Sequence, residues 1–86
     1  MNLKSAMLNG RKYLFVFTGQ LNGTCEQSDT KYRHITIMTV PGTRNELITL
    51  IHEMLHAEDW NATEGKVTRA ADEIGRALWR CGYRRQ

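Results

Sequence analysis

The chain has only two cysteines, one proline and no long apolar run among its 86 residues. Each scarcity removes a class of protein. Without about 18 consecutive apolar residues there is no helix that spans a bilayer. Cys25 and Cys81 lie far apart in different expected elements, too sparse a set for a disulfide scaffold. Free thiols in a reducing cytoplasm are the expectation. No Pro-rich or Ser/Gly-rich stretch reads as a linker, and no segment repeats. Residues Met1 to Ser5 carry no apolar core of a secretory signal, which also points to the cytoplasm. Charge of one sign is modest. Twelve Lys and Arg against nine Asp and Glu leave +3, concentrated at Arg80, Arg84 and Arg85. That is weak support for nucleic acid or an acidic partner, and the bland reading is a cationic helix end complementing its dipole.

What is present suits one small soluble domain. A chain of this length builds a single small core, so a bound metal that adds to folding stability is expected to matter. The two halves differ. Arg11 to Thr18 is rich in aromatic and β-branched residues and reads as a strand. Asn9-Gly10 before it is a two-residue turn signal, making Leu3 to Leu8 the other arm of a hairpin. Gln20 to Thr30 reads as loop. Tyr32 to Val40 alternates around Ile35 and Ile37 and reads as another strand, ended by Pro41-Gly42.

The second half is helical. Thr43 to Glu46 fits a capping box, followed by apolar residues at helical spacing to about Ala57. Asn61 with Glu64 fits a second box. Val67, Ala70, Ala71, Ile74, Ala77, Leu78 and Cys81 then recur on a helix over about 62–81, with Gly82 as its cap. The expected fold is α+β: a small antiparallel sheet of three or four strands, over about 3–40, packed on two C-terminal helices over about 44–57 and 62–81.

One motif carries chemistry. Residues 52–56 read His52-Glu53-Met54-Leu55-His56, an H-E-x-x-H pattern inside the first helix. Positions i and i+4 share a helix face, so both imidazoles reach one metal ion. Glu53 beside them is placed to take a proton from a water on that ion. This pattern arises by chance in about one chain of this length in several hundred. The competing reading is two ordinary helix histidines.

A catalytic zinc needs a third protein ligand. Position 62 is Ala62, which excludes a His six residues past the motif. His34, the remaining histidine, sits in an expected strand and reads as a packing or surface residue. Glu64 lies on the stripe Glu64, Val67, Ala71, Ile74 and Leu78 that must face the motif helix. It is the preferred third ligand, with Asp59 as the alternative and a plain helix cap as the competing role for Glu64. Tyr13, Tyr32 or Tyr83 is a candidate oxyanion partner, against ordinary packing. Trp60 and Trp79 read as core or interface aromatics. Cys25 is a remote candidate for an inhibitory thiolate. Mn, Co or Ni fit the same ligands.

The segment Leu50-Ile51-His52-Glu53-Met54-Leu55-His56-Ala57-Glu58-Asp59-Trp60, with Ala77 to Arg84, resembles small metallopeptidases of bacteriophage and prophage genomes. Those are similar to the SprT-like and ImmA/IrrE-like groups of minimal zincins. In the latter group a downstream Glu-x-x-Ala-Asn/Asp carries the third ligand. Glu64-Gly65-Lys66-Val67-Thr68 can be laid on it, with Val67 and Thr68 standing in place of Ala and Asn/Asp. The resemblance implies a Zn2+-dependent peptidase with a protein or peptide substrate, a phage or prophage source and a cytoplasmic setting. It also implies that an exposed strand edge, here Tyr32 to Val40, pairs with extended substrate. The alternative from another class is a non-catalytic, zinc-stabilised module that binds a host protein or nucleic acid.

Overall fold

The computed structural model describes residues 4–17 and 33–85. The element order is β1 (Lys4–Leu8), β2 (Arg11–Phe17), β3 (Arg33–Ile37), α1 (Arg44–Glu58) and α2 (Glu64–Arg80). This is the expected α+β order of strands followed by two helices. Cys25, Tyr32 and the expected 20–30 loop lie outside the described residues.

The hairpin forms as the turn residues dictate. Asn9 at φ 50° and Gly10 at φ 73° both take left-handed backbone, as a two-residue type I′ turn requires. Leu8 and Arg11 face each other at its base. The pairing of β3 differs from expectation. It joins β2 in parallel, with Phe15 beside Ile35 and Phe17 beside Ile37, so the sheet is mixed rather than antiparallel, in the order β1-β2-β3. Apolar alternation marks the buried face of a strand and reads the same in either direction, so spacing alone does not set pairing direction.

One sheet face is the core. Tyr13, Phe15, Ile35 and Ile37 are buried there with Ala57, and Ala6, Leu8, Phe17, Leu50 and Met54 pack against them. Leu50, Met54 and Ala57 are spaced to form one stripe of α1, which is how that helix covers the sheet. α2 packs on another flank of α1, giving sheet, α1 and α2 in succession. Val67, Ala71 and Gly75 are the buried residues of α2 and recur every fourth position. Gly75 sets how close the helices come: a Cβ there would stand 2.5 Å from Ile48 Cγ1 and 3.2 Å from Ile48 Cα.

Both helices are capped by threonine. Thr43 Oγ1 accepts the Glu46 N–H at 3.2 Å, the expected half of a capping box, while the Glu46 carboxylate takes the Gly42 N–H at 3.0 Å. α2 starts at Glu64 with Thr63 as N-cap, so the expected Asn61–Glu64 box is not made. Threonine wins because its hydroxyl, directly ahead of the helix, reaches the Lys66 N–H at 3.3 Å. α2 ends in a Schellman turn. Gly82 at φ 91° donates to the Trp79 carbonyl at 3.0 Å, and Tyr83 donates to Leu78 at 3.2 Å. No helix among the described residues is long and apolar enough to cross a membrane.

Candidate metal centre

His52 and His56 lie one turn apart on α1, their ring centroids 4.9 Å apart. Their stripe faces the start of α2, where the chain has reversed through residues 59–63. Glu64, the first residue of α2, reaches back across that reversal. Its two oxygens divide between the imidazoles: Oε1 is 2.8 Å from His52 Nε2 and Oε2 is 2.8 Å from His56 Nε2. An ionised carboxylate only accepts, so both rings present Nε2 towards one point. Thr68, one turn along α2, sets its hydroxyl 3.4 Å from Glu64 Oε1.

The electrostatics agree with this geometry. Desolvation pushes the Glu64 carboxyl up. The His56 hydrogen bond and charge, followed by those of His52, outweigh it and leave the carboxyl below its ordinary value. The cluster opens to solvent, with side-chain exposures of 23% for His52, 32% for His56 and 68% for Glu64. Water and a ligand therefore reach it without any opening motion.

The donor set fits a divalent cation. One ligand atom from each of His52, His56 and Glu64 lies within 4.8 Å of the other two. Ligands bound to one zinc at about 2.0–2.2 Å stand roughly 3.3–3.5 Å apart. The 2.8 Å contacts are hydrogen-bond distances somewhat shorter than that spacing, so a modest outward shift of the exposed Glu64 carboxylate would admit an ion. Two imidazoles and a carboxylate are also the ligand set of one class of catalytic zinc site.

The other candidates fall elsewhere. Asp59 is the C-cap of α1, and its Oδ1 accepts the Asn61 N–H at 3.0 Å; it is not in the cluster. His34 is half-buried on β3, beside Leu14 of β2, and is not in the cluster either. Glu53 is half-buried, on the part of α1 between the imidazole stripe and the stripe that covers the sheet. Tyr13 is 6% exposed in the core, which makes it a packing residue, and Tyr83 stands out at 63% just past the end of α2. Trp60 is 59% exposed under the Arg11 guanidinium, a surface position that excludes the core half of the core-or-interface expectation. The basic tail is engaged within the protein: Arg84 lies 3.3 Å over the Trp79 ring, and Arg85 binds Glu46.

Sequence reasoning missed the role of Glu46. Its carboxylate is 3% exposed and meets Arg85 through two contacts of 2.9 Å. An acidic residue in a first helical turn reads as a cap, and nothing in the spacing points to a partner in the tail. Compared with protein-family models, curated proteins and solved structures, the chain has no significant match.

Proposed function

We propose that this chain is a zinc-dependent peptidase of the minimal zincin kind, acting in the cytoplasm of a bacterial host. The observation that carries the reading is the convergence of His52 Nε2, His56 Nε2 and the Glu64 carboxylate on one point. The H-E-x-x-H motif and the resemblance to phage-type metallopeptidases support it.

In this reading His52, His56 and Glu64 hold the zinc. Bound there, the ion would acidify a water and polarise a peptide carbonyl. Glu53 accepts the proton of the attacking water and returns it to the leaving amine. Thr68 steadies the Glu64 carboxylate. Among the described residues β3 stands at one side of the sheet, where an extended peptide could pair with it. The open cluster suits a polypeptide substrate better than a small molecule that must be enclosed.

A second reading has one observation in its favour. Glu64 bridges both imidazoles across the α1–α2 junction, so the cluster ties the two helices together whether or not any turnover takes place there. The chain would then be a non-catalytic module that binds a host protein or nucleic acid, with zinc at this cluster serving only to stabilise the fold.

Two measurements separate the readings. Elemental analysis of wild type beside His56→Ala is expected to give close to one zinc per chain, lost in the variant. Absence of metal from zinc-supplied wild type would end the peptidase reading. With zinc present, Glu53→Gln is expected to keep the metal and the fold and to lose cleavage of an unfolded protein such as reduced casein. Equal cleavage by wild type and Glu53→Gln would remove Glu53 from the chemistry, and no cleavage by either would favour the module.

A further inference from the structure

Away from the histidine cluster, the α1–α2 junction carries an open groove of about 140 Å³. Leu55, Ala62, Val67 and Ala70 give it apolar walls, and Glu58, Asp59 and Lys66 are its charged members. None of His52, Glu53, His56 and Glu64 lines it. Around α2, Lys66 and Ala70 are turned about 160° and 120° from Glu64, so groove and cluster occupy different flanks.

Size decides what the groove can hold. Sites for drug-sized molecules run to about 300–1,000 Å³. An apolar cavity of about 150 Å³ accommodates a benzene ring. At about 140 Å³ the groove takes one leucine- or phenylalanine-sized group and little else. A group of that size arrives with useful affinity only as part of a larger partner, because one side chain alone does not offset the entropy of association.

Charge decides what stands beside that group. Glu58 and Asp59 against the single Lys66 leave the groove acidic, in a chain whose net charge is +3. Both carboxylates are fixed in place. Glu58 Oε2 accepts the Asn9 N–H at 2.8 Å, and Asp59 Oδ1 accepts the Asn61 N–H at 3.0 Å. Held acceptors of this kind bind a guanidinium or ammonium group at little ordering cost. Trp60, next to Asp59 in the chain, already carries the Arg11 guanidinium 4.5 Å from its ring centroid.

We propose that this groove docks one aliphatic or aromatic side chain of a polypeptide partner that has a basic residue next to it. The proposal is independent of the metal centre, and its test uses neither zinc nor turnover.

The test is a titration of isotope-labelled protein followed by amide NMR. The probes are acetyl-Gly-Leu-Arg-Gly-amide, acetyl-Gly-Leu-Glu-Gly-amide and acetyl-Gly-Ala-Arg-Gly-amide. The Leu-Arg peptide should give saturable shifts confined to the groove residues Leu55, Asp59, Ala62, Lys66, Val67 and Ala70. The other two peptides should bind at least about fivefold more weakly. Ala70→Trp, at a half-exposed position, fills the groove and should abolish the shifts; Ala62→Leu fills it from the connector if that variant does not fold. Asp59→Asn keeps the turn acceptor, removes a charge and should narrow the gap between the Arg and Glu peptides. Shifts that are absent or scattered at about 10 mM peptide, that survive both filling variants, or that are equal for the Arg and Glu peptides would overturn the proposal.

Discussion

Arg85 and Glu46 are 39 residues apart in sequence and meet in a two-point ion pair, Nε to Oε1 and Nη2 to Oε2, each 2.9 Å. The same Arg85 guanidinium lies 4.1 Å from the Phe17 ring centroid, and the same Glu46 carboxylate accepts the Gly42 N–H at 3.0 Å. The end of β2, the start of α1 and the stretch after α2 are thus tied at one point. A charge as buried as Glu46, at 3% exposure, is tolerable only when paired in this way.

Removing the partner should therefore cost more than a surface ion pair would. Arg85→Ala is expected to lower unfolding free energy by about 3 kcal/mol, the low end for stranding a buried charge. The low end applies because the Arg85 side chain keeps 30% exposure. Urea denaturation measures it, and a loss under about 0.5 kcal/mol would show that Glu46 rehydrates freely. Replacing both residues by methionine should recover most of the loss.

The pair also has a pH signature. Burial pushes the Glu46 carboxyl up, but the Arg85 hydrogen bond, the Gly42 N–H and the Arg85 charge together leave it below its ordinary value. A carboxyl lowered in the folded state contributes stability above its unfolded value, about 4.3, and loses it as pH falls through the folded value. The gap between wild type and Arg85→Ala should be widest near neutrality and close below the carboxylate range. Denaturation curves at several pH values test this, and a gap independent of pH would assign the Arg85 effect to packing on Phe17.

The glycines of α2 should respond in opposite directions to alanine. Gly75→Ala drives a methyl into Ile48, whose Cγ1 would be 2.5 Å away and whose backbone Cα leaves no retreat. Overpacking costs about 1–3 kcal/mol, partly offset by roughly 1 kcal/mol of helix propensity. Gly65 has open space around its would-be Cβ, so Gly65→Ala should gain about 0.5–1 kcal/mol. Thermal melts of the two variants should move apart, and parallel shifts would mean that the helices are free to separate.

The ligand assignment predicts a ranking. Glu64→Ala should weaken zinc binding by at least about tenfold, as loss of a ligand should cost no less than loss of a supporting residue. Asp59→Ala should leave zinc affinity unchanged, because that carboxylate serves the Asn61 N–H. Competition against a colorimetric chelator measures both, and the reverse order would move the third ligand to Asp59.

Zinc should also stabilise the fold by mass action. At free zinc about 100 times its Kd the gain is about 2.7 kcal/mol. For a domain of this size that is roughly 10–20 °C in Tm. A melt with and without a chelator checks it. An unchanged Tm at zinc loadings known to fill the site would mean that the unfolded chain binds zinc equally well.

Much of this architecture is legible in the residues. Asn9-Gly10 fixes the hairpin turn, Thr43 caps α1, and Gly82 closes α2. Each effect is local, acting within a few residues of its cause. The parallel partnership of β2 and β3 was not legible, because alternation carries no direction. Nor was the Asn61–Glu64 box correctly read, since Thr63 stands nearer the first turn and its hydroxyl takes the Lys66 N–H instead. The tail read as a cationic helix end, and Arg84 does donate to the Trp79 carbonyl in the last turn of α2 at 2.7 Å; Arg85 instead pairs with a carboxylate 39 positions earlier.

The sequence by itself determined that His52 and His56 share a face with Glu53 beside them, because helical periodicity is a local property that i, i+4 spacing guarantees. Only the tertiary structure decided which carboxylate joins them. Glu64 and Asp59 are both close to His56 in sequence, yet Glu64 alone faces the imidazoles, at 2.8 Å from each. That outcome depends on how α2 turns back and seats against α1, with Gly75 pressed on Ile48, and on the cap that uses Asp59 elsewhere. Such distances are set by packing between helices, which no spacing along the chain encodes.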